Sequence, residues 1–375
     1  MKRFAIAVLV LCAVAFAPAV RAVEASPQSY IVVLKPGVVP TLTAAVHSVR
    51  LGLQVGFIYT QALQGYSALV PAAALGALRN DARVAYVERD QKVHAVTTQD
   101  GATWKIDHTD QQALPLSSTY TYTATGAGVT AYVIDTGIRK THSEFGGRAV
   151  HGFDAVTMGL SSDDCNGHGT HVSGTIGGAT YGIAKGVRLV AVRVLNCAGI
   201  GLNSGVIAGV DWVTGDHAAG APAVANMSLG GGQSAALDTA VRNSIADGVS
   251  YAVAAGNDTA DACAGSPSGV TEAITVGATD QADARASFSN FGSCVDWFAP
   301  GVNITSAWWL TDTLTNIISG TSMATPHVAG VAALYLQGNP VATAQQVRDA
   351  LFNLTMKSIV TSAQSANNHL LFTSF

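Results

Sequence analysis

Charge is what this chain has least of. Only 12% of its 375 residues are Asp, Glu, Lys or Arg, and the formal net charge is −4. That balance gives no reason to expect nucleic acid as a partner. Long apolar runs are missing after the first residues, so no later segment is expected to span a membrane. Internal repeats are absent, as are low-complexity linkers after residue 120. Glycine is abundant by contrast, at 39 residues, but it is scattered without a period, which excludes a collagen-like chain. With 49% hydrophobic residues, the composition is that of a compact chain long enough for one or two domains.

The amino terminus reads as a secretory signal over residues 1–22. Lys2 and Arg3 precede the apolar run Phe4–Ala17, and Ala17-Pro18-Ala19 or Val20-Arg21-Ala22 offers a small-residue cleavage site. The run is shorter than the roughly 20 residues a membrane anchor needs, so export to the extracellular medium is expected. Cys12 leaves with the signal. Cys165, Cys197, Cys263 and Cys294 remain, and an even count in an exported chain suggests disulfides. Four cysteines allow three pairings.

Residues 23–96 read as a separate small unit. Short strands at Tyr30–Leu34, Phe57–Tyr59, Tyr66–Val70 and Val84–Val87 interleave with helices at Thr41–Val49 and Pro71–Leu78. The order β-α-β-β-α-β suggests a ferredoxin-like α+β arrangement. Residues 97–120 are polar and read as irregular, with Trp104 as an anchor. From Val129 onward, buried-type strands (Val129–Ile134, Leu189–Leu195, Val224–Met227, Ser250–Ala254, Ala273–Val276) alternate with helices (His168–Ile176, Ser204–Thr214, Ala235–Ala246, Ser322–Leu336, Ala344–Phe352). That alternation predicts an α/β fold, a mainly parallel sheet with helices on both faces.

Four side chains stand out on this scaffold. Ser322, in Gly320-Thr-Ser-Met-Ala-Thr-Pro-His-Val-Ala-Gly330, falls at a helix start, where N–H groups favour developing negative charge. Pro326 is placed in the first turn, where its missing N–H is tolerated. Asp135 follows an apolar strand, where sites lie in open α/β sheets. His168 opens a helix between two glycines that leave its ring accessible. Asn257 follows Val253-Ala-Ala-Gly256 at another strand end, from which an amide could reach an oxyanion. Each alone could be a helix or turn cap. Cys165, His168 and His171 could instead face a zinc ion, but no fourth ligand follows at motif spacing.

Taken together, the residues run in the order Asp, His, Ser with an amide between the last two, the order of subtilisin. The motifs Asp135-Thr-Gly137, His168-Gly-Thr-His171 and Gly320-Thr-Ser-Met-Ala-Thr-Pro326 resemble those of the subtilisin-like serine proteases. The likeness is nearest to the proteinase K group and its bacterial, aqualysin-like members. It covers nearly the whole chain, and it implies a subtilisin-like catalytic domain over 97–375 preceded by a self-cleaved inhibitory propeptide over 23–96. It implies a triad of Asp135, His168 and Ser322 with Asn257 at the oxyanion. It places Ser228, Leu229 and Gly230 with Gly256 at the S1 pocket, and Gly199 and Gly201 on the edge that pairs with an extended substrate. With Ala254 and Ala255 also small, and no charged residue in these segments, apolar or aromatic P1 residues are expected. Disulfides Cys165–Cys197 and Cys263–Cys294 are implied. So is a structural calcium ion on Asp296 with the carbonyls of Thr271 and Ala273, none being needed for the chemistry. The expected partners are protein and peptide substrates and the chain's own propeptide. A monomer with no membrane attachment after signal removal is expected. Two rivals remain. An inactive scaffold is disfavoured by the complete set of four residues. An α/β-hydrolase esterase would need a Gly-x-Ser-x-Gly elbow and the order Ser, acid, His.

Overall fold

In the computed structural model, residues 26–61, 63–90, 97–157 and 161–375 are described. The signal expected at 1–22, with Cys12, and the processing junction expected near Val96 lie outside them. The chain divides into two compact units, residues 1–94 and 95–375.

In the first unit, strands β1 (Gln28–Leu34), β2 (Gln54–Tyr59), β3 (Gly65–Val70) and β4 (Val84–Arg89) form one antiparallel sheet in the order β2-β3-β1-β4. Helices α1 (Pro40–Leu51) and α2 (Ala72–Arg79) complete the order β-α-β-β-α-β. Pro40 opens α1, where its lack of an N–H costs nothing. Gly52 closes α1 in the left-handed conformation, its N–H bonded to the Ser48 carbonyl. Val32, Leu34, Tyr66, Ala68, Leu78 and Val84 fill the core between sheet and helices.

The second unit is built on seven parallel strands: β5 (Thr130–Asp135), β6 (Ala149–Asp154), β7 (Arg188–Arg193), β8 (Ala223–Met227), β9 (Ser250–Ala254), β10 (Ile274–Thr279) and β11 (Trp297–Pro300). Their order across the sheet is β11-β10-β9-β8-β5-β7-β6. Alternate residues of β5 feed opposite layers. Ala131 and Val133 join Val172, Ile176, Val328 and Val331, from helices α3 (His168–Gly177) and α6 (Thr321–Gly338). Tyr132 and Ile134 join Val206, Val210, Leu237 and Val241, from α4 (Asn203–Asp216) and α5 (Ala235–Asp247). The sheet is therefore covered on both faces, as its apolar strands require. The chain runs from β5 towards β6 and β7, then crosses over to β8 and continues the other way. The switch in direction falls between β5 and β8, and the crevice at their carboxyl ends is where such sheets place ligands.

Two strands of this sheet escape the sequence pattern, β6 and β11, and they are its two edges. Residues 97–120 are also more ordered than expected. Thr97–Asp100 pairs with Thr119–Tyr122, and Trp104–Asp107 forms a helical turn. Threonine-rich polar segments suit a paired ribbon better than their hydropathy suggests.

Candidate active site

Asp135 ends β5 fully buried, its Oδ1 accepting the Thr136 N–H at 2.7 Å. His168 is the first residue of α3, and its Nδ1 lies 2.8 and 3.0 Å from the two Asp135 oxygens. This pairing fixes which ring nitrogen carries the proton: Nδ1–H donates to the carboxylate, leaving Nε2 to accept. Burial disfavours the imidazolium, but the Asp135 carboxylate, its hydrogen bond and the more distant Asp164 outweigh that, so the His168 pKa lies above its ordinary value.

The approach of α3 to β5 depends on glycine. A Cβ on Gly169 would come within 2.1 Å of the Gly137 carbonyl. The glycine beside His168 thus serves backbone approach, not only access to the ring. A second organiser is Asp164, which sequence reasoning missed. Its buried carboxylate accepts from the Asn166, Gly167 and Thr170 N–H groups and from the Thr136 and Thr170 hydroxyls. Thr136 Oγ1 in turn accepts the Gly169 N–H. One carboxylate therefore ties the turn after β5 to the first turn of α3.

Ser322 is the second residue of α6, which begins at Thr321 after Gly320. Pro326 lies inside the helix, beyond the first turn expected for it. A proline there removes the N–H that would bond the carbonyl four residues back, here that of Ser322. The Ser228 hydroxyl takes its place, donating to the Ser322 carbonyl at 2.8 Å, while the Asn226 amide donates to Ser228 Oγ at 2.9 Å. The exchange is reciprocal: Ser322 Oγ donates to the Ser228 carbonyl at 3.0 Å, and among the described residues no hydrogen bond joins it to His168. The strand end after β8 is thus clasped to the start of α6.

Asn257 sits in the turn after β9. Its Oδ1 accepts from both the N–H (2.8 Å) and the hydroxyl (2.9 Å) of Thr321, so its amide NH₂ points elsewhere. Asn290, also missed from sequence, braces this turn. It accepts from the Asp258 and Ala260 N–H groups and donates to the Ala255 carbonyl. Gly256 has φ +103°, and a Cβ there would meet the Asn290 amide at 2.3 Å. Only glycine fits this turn.

Two clefts meet at these residues. One, of about 470 Å³, is lined by Leu229–Gly232, Ala254–Asp258, Ala264, Gly265, Thr321 and Ser322. The other, of about 510 Å³, is lined by His168, Ala198–Asn203 and Ser228–Gly231. Leu229, Gly230 and Gly231 border both. The small, uncharged residues expected at the pocket are not alone in the first cleft. Asp258 and Asp261 also line the first cleft, brought there by the turn after β9 and the loop beyond it.

Cys165 bonds Cys197, and Cys263 bonds Cys294, with Cα atoms 4.9 and 5.3 Å apart. The zinc alternative has lost its thiolate: Cys165 is oxidised, while His168 Nδ1 faces Asp135 and His171 Nε2 donates to the Ile304 carbonyl at 2.9 Å. Burial, with Lys105 nearby, pushes the His171 pKa down to about 3. Two of the three groups expected to hold calcium are also engaged. Arg348, on α7 (Ala344–Leu354), donates to the Thr271 carbonyl and to Asp296 Oδ1.

Comparison with known proteins shows which proteins the chain is similar to. Residues 126–372 match the model of the subtilase family. The chain is 56% identical to an extracellular serine proteinase of Thermus sp. (strain Rt41A) over 94% of its own length and 91% of the relative's. It is 52% identical to alkaline serine exoprotease A of Vibrio alginolyticus, covering 85% of this chain and 60% of that one. Among solved structures, a cold adapted subtilisin-like serine proteinase superposes with a TM-score of 0.72 at 55% identity, covering 74% of this chain and all of the other.

Proposed function

The chain belongs to the subtilase family of serine endopeptidases, and on that premise we propose that it is exported and cleaves peptide bonds through an acyl-enzyme formed on Ser322. The observation that carries this is the Asp135–His168 pair and the Asn257–Thr321–Ser322 constellation facing adjoining clefts. His168 Nε2, left as an acceptor by the Asp135 contact, takes the Ser322 proton once that hydroxyl turns from the Ser228 carbonyl. Asp135 holds the ring and stabilises the imidazolium. The tetrahedral oxyanion is bound by the Asn257 amide and the Ser322 N–H at the positive end of α6. His168 then protonates the leaving amine, and water repeats the sequence to release the acyl group.

An extended substrate lies between the segment containing Gly199 and Gly201 and the Ser228–Gly230 edge, adding as a strand. The small residues Ala254, Ala255, Gly256 and Gly230 shape the S1 pocket for apolar or aromatic P1 side chains. The carboxylates of Asp258 and Asp261 extend tolerance to cationic ones. Residues 23–96 act as a template and inhibitor, cut off near Thr97 by the enzyme itself. A parallel sheet of non-local contacts folds slowly, and a bound template lowers that barrier. The mature chain works as a monomer outside the cell. Among the described residues no helix is long and apolar enough to cross a membrane.

The direct test is casein hydrolysis by the purified secreted protein. Activity abolished by Ser322→Ala and indifferent to zinc chelation supports the reading; undiminished activity of Ser322→Ala refutes it.

A further inference from the structure

The family resemblance implies a calcium ion at Asp296 with the carbonyls of Thr271 and Ala273, but the arrangement there does not fit one. Asp296 immediately precedes β11 and is only 8% exposed. Its Oδ2 accepts the Thr275 N–H at 2.8 Å, and its own N–H donates to the Thr275 carbonyl at 2.9 Å. Its Oδ1 receives one terminal nitrogen of Arg348, while the other donates to the Thr271 carbonyl. Calcium needs six to eight oxygens at about 2.3–2.6 Å. Two of the three groups that could begin such a shell already receive a guanidinium, and a metal would have to expel it.

The donor suits the place. A guanidinium keeps its charge at any working pH, and its planar fork directs two N–H groups at once, here to a carboxylate and a carbonyl. Arg348 is held by α7, whose start is fixed by a capping box between Thr343 and Gln346. A cation carried on the chain does not dissociate, so the joint between the residues before β10 and those before β11 is closed without an equilibrium with metal. The loop leading into β10 is the one whose Ala264 and Gly265 line the first cleft. Burial pushes the Asp296 carboxyl up, and Arg348 acts against that shift. We infer that Arg348 replaces calcium at this position, as a built-in cation that makes the joint independent of metal.

The test is the half-life of thermal unfolding of phosphonate-inactivated protein, which cannot digest itself, read by loss of tryptophan fluorescence. Half-lives are compared in calcium and in chelator, and their ratio is the readout. Because calcium bound elsewhere would affect all variants alike, the ratio is compared across Asp296→Asn, Arg348→Ala and the double variant. The expected result is equal ratios for wild type and Asp296→Asn. Arg348→Ala raises the ratio by about tenfold when calcium is near ten times its Kd, and the double variant returns it to the wild-type value. If Arg348→Ala does not accumulate, Arg348→Lys serves, and its tethered ammonium keeps the wild-type ratio. A wild-type ratio that falls in Asp296→Asn would overturn the inference. So would an unchanged ratio in Arg348→Ala, or a raised one in Arg348→Lys.

Discussion

Single residues decide the chemistry here through the partners that aim them. Asn257 is held by its oxygen to Thr321, which leaves its NH₂ for the oxyanion that the proposed mechanism forms only in the transition state. Asn257→Ala should therefore fold and lose about a hundred- to a thousand-fold in kcat with little change in KM. Steady-state kinetics on a short peptide substrate checks both terms, and a normal kcat removes Asn257 from the mechanism. His168 gives a pH signature. The proposed mechanism needs the neutral ring, and Asp135 and Asp164 favour the charged one, so activity should fall as pH drops through a midpoint above the ordinary 6.5. Stability runs with the opposite sign. A pKa raised on folding contributes stability that is fully present below 6.5 and is lost as pH rises through the folded value. Asp135→Asn should lower that midpoint and reduce kcat by about 10⁴-fold, read from the pH profile of kcat/KM. The positions of Asp135, His168, Ser322 and Asn257 were legible because each sits in a motif with its own local geometry. Asp164 and Asn290 were not, and Ser228 was legible only as a pocket residue, not as the partner of the Ser322 carbonyl. They act across 28, 35 and 94 residues of sequence, and nothing local marks a polar residue as the brace of a distant turn.

At the scale of elements, legibility followed burial. The five central strands read as continuous apolar runs because both of their faces are covered. The edge strands β6 and β11 did not, the first because only two of its six residues are buried and the second because, though buried throughout, it is four residues long. Pro326 was misplaced by a turn because the sequence cannot show that the Ser228 hydroxyl would replace its missing hydrogen bond. The carboxylates in the first cleft come from the turn after β9 and the loop beyond it, whose fold no periodicity reports. They carry a specificity prediction. Asp258→Asn with Asp261→Asn should lower kcat/KM for P1 Lys and Arg relative to P1 Phe, by about tenfold for two partly screened charges. A fluorogenic P1 library measures the ratio, and an unchanged ratio means that the carboxylates face away from the bound side chain.

For the molecule as a whole, the order of the two units suggests a history in time. A compact β-α-β-β-α-β unit comes before Asp135, His168 and Ser322. If the second unit cuts the first away, Ser322→Ala should fold and accumulate as an uncleaved precursor. Its hydroxyl contributes one hydrogen bond to a clasp that the Ser228–Ser322 carbonyl contact still closes. Wild type should appear as a chain beginning near Thr97. Mass and N-terminal sequencing of both proteins, produced in a host lacking other proteases, check this. Normal processing of the variant would end the self-cleavage proposal while leaving the protease assignment intact.

The central claim, that Ser322 is a nucleophile activated by His168, has a more direct test than any rate. The secreted protein is treated with a serine-directed phosphonate, and its intact mass, adduct position and caseinolytic activity are followed together. The account predicts one adduct per chain, located on Ser322, with activity lost in proportion to labelling and no labelling in His168→Ala. Labelling at another residue, or full activity in a protein stoichiometrically modified at Ser322, would contradict it.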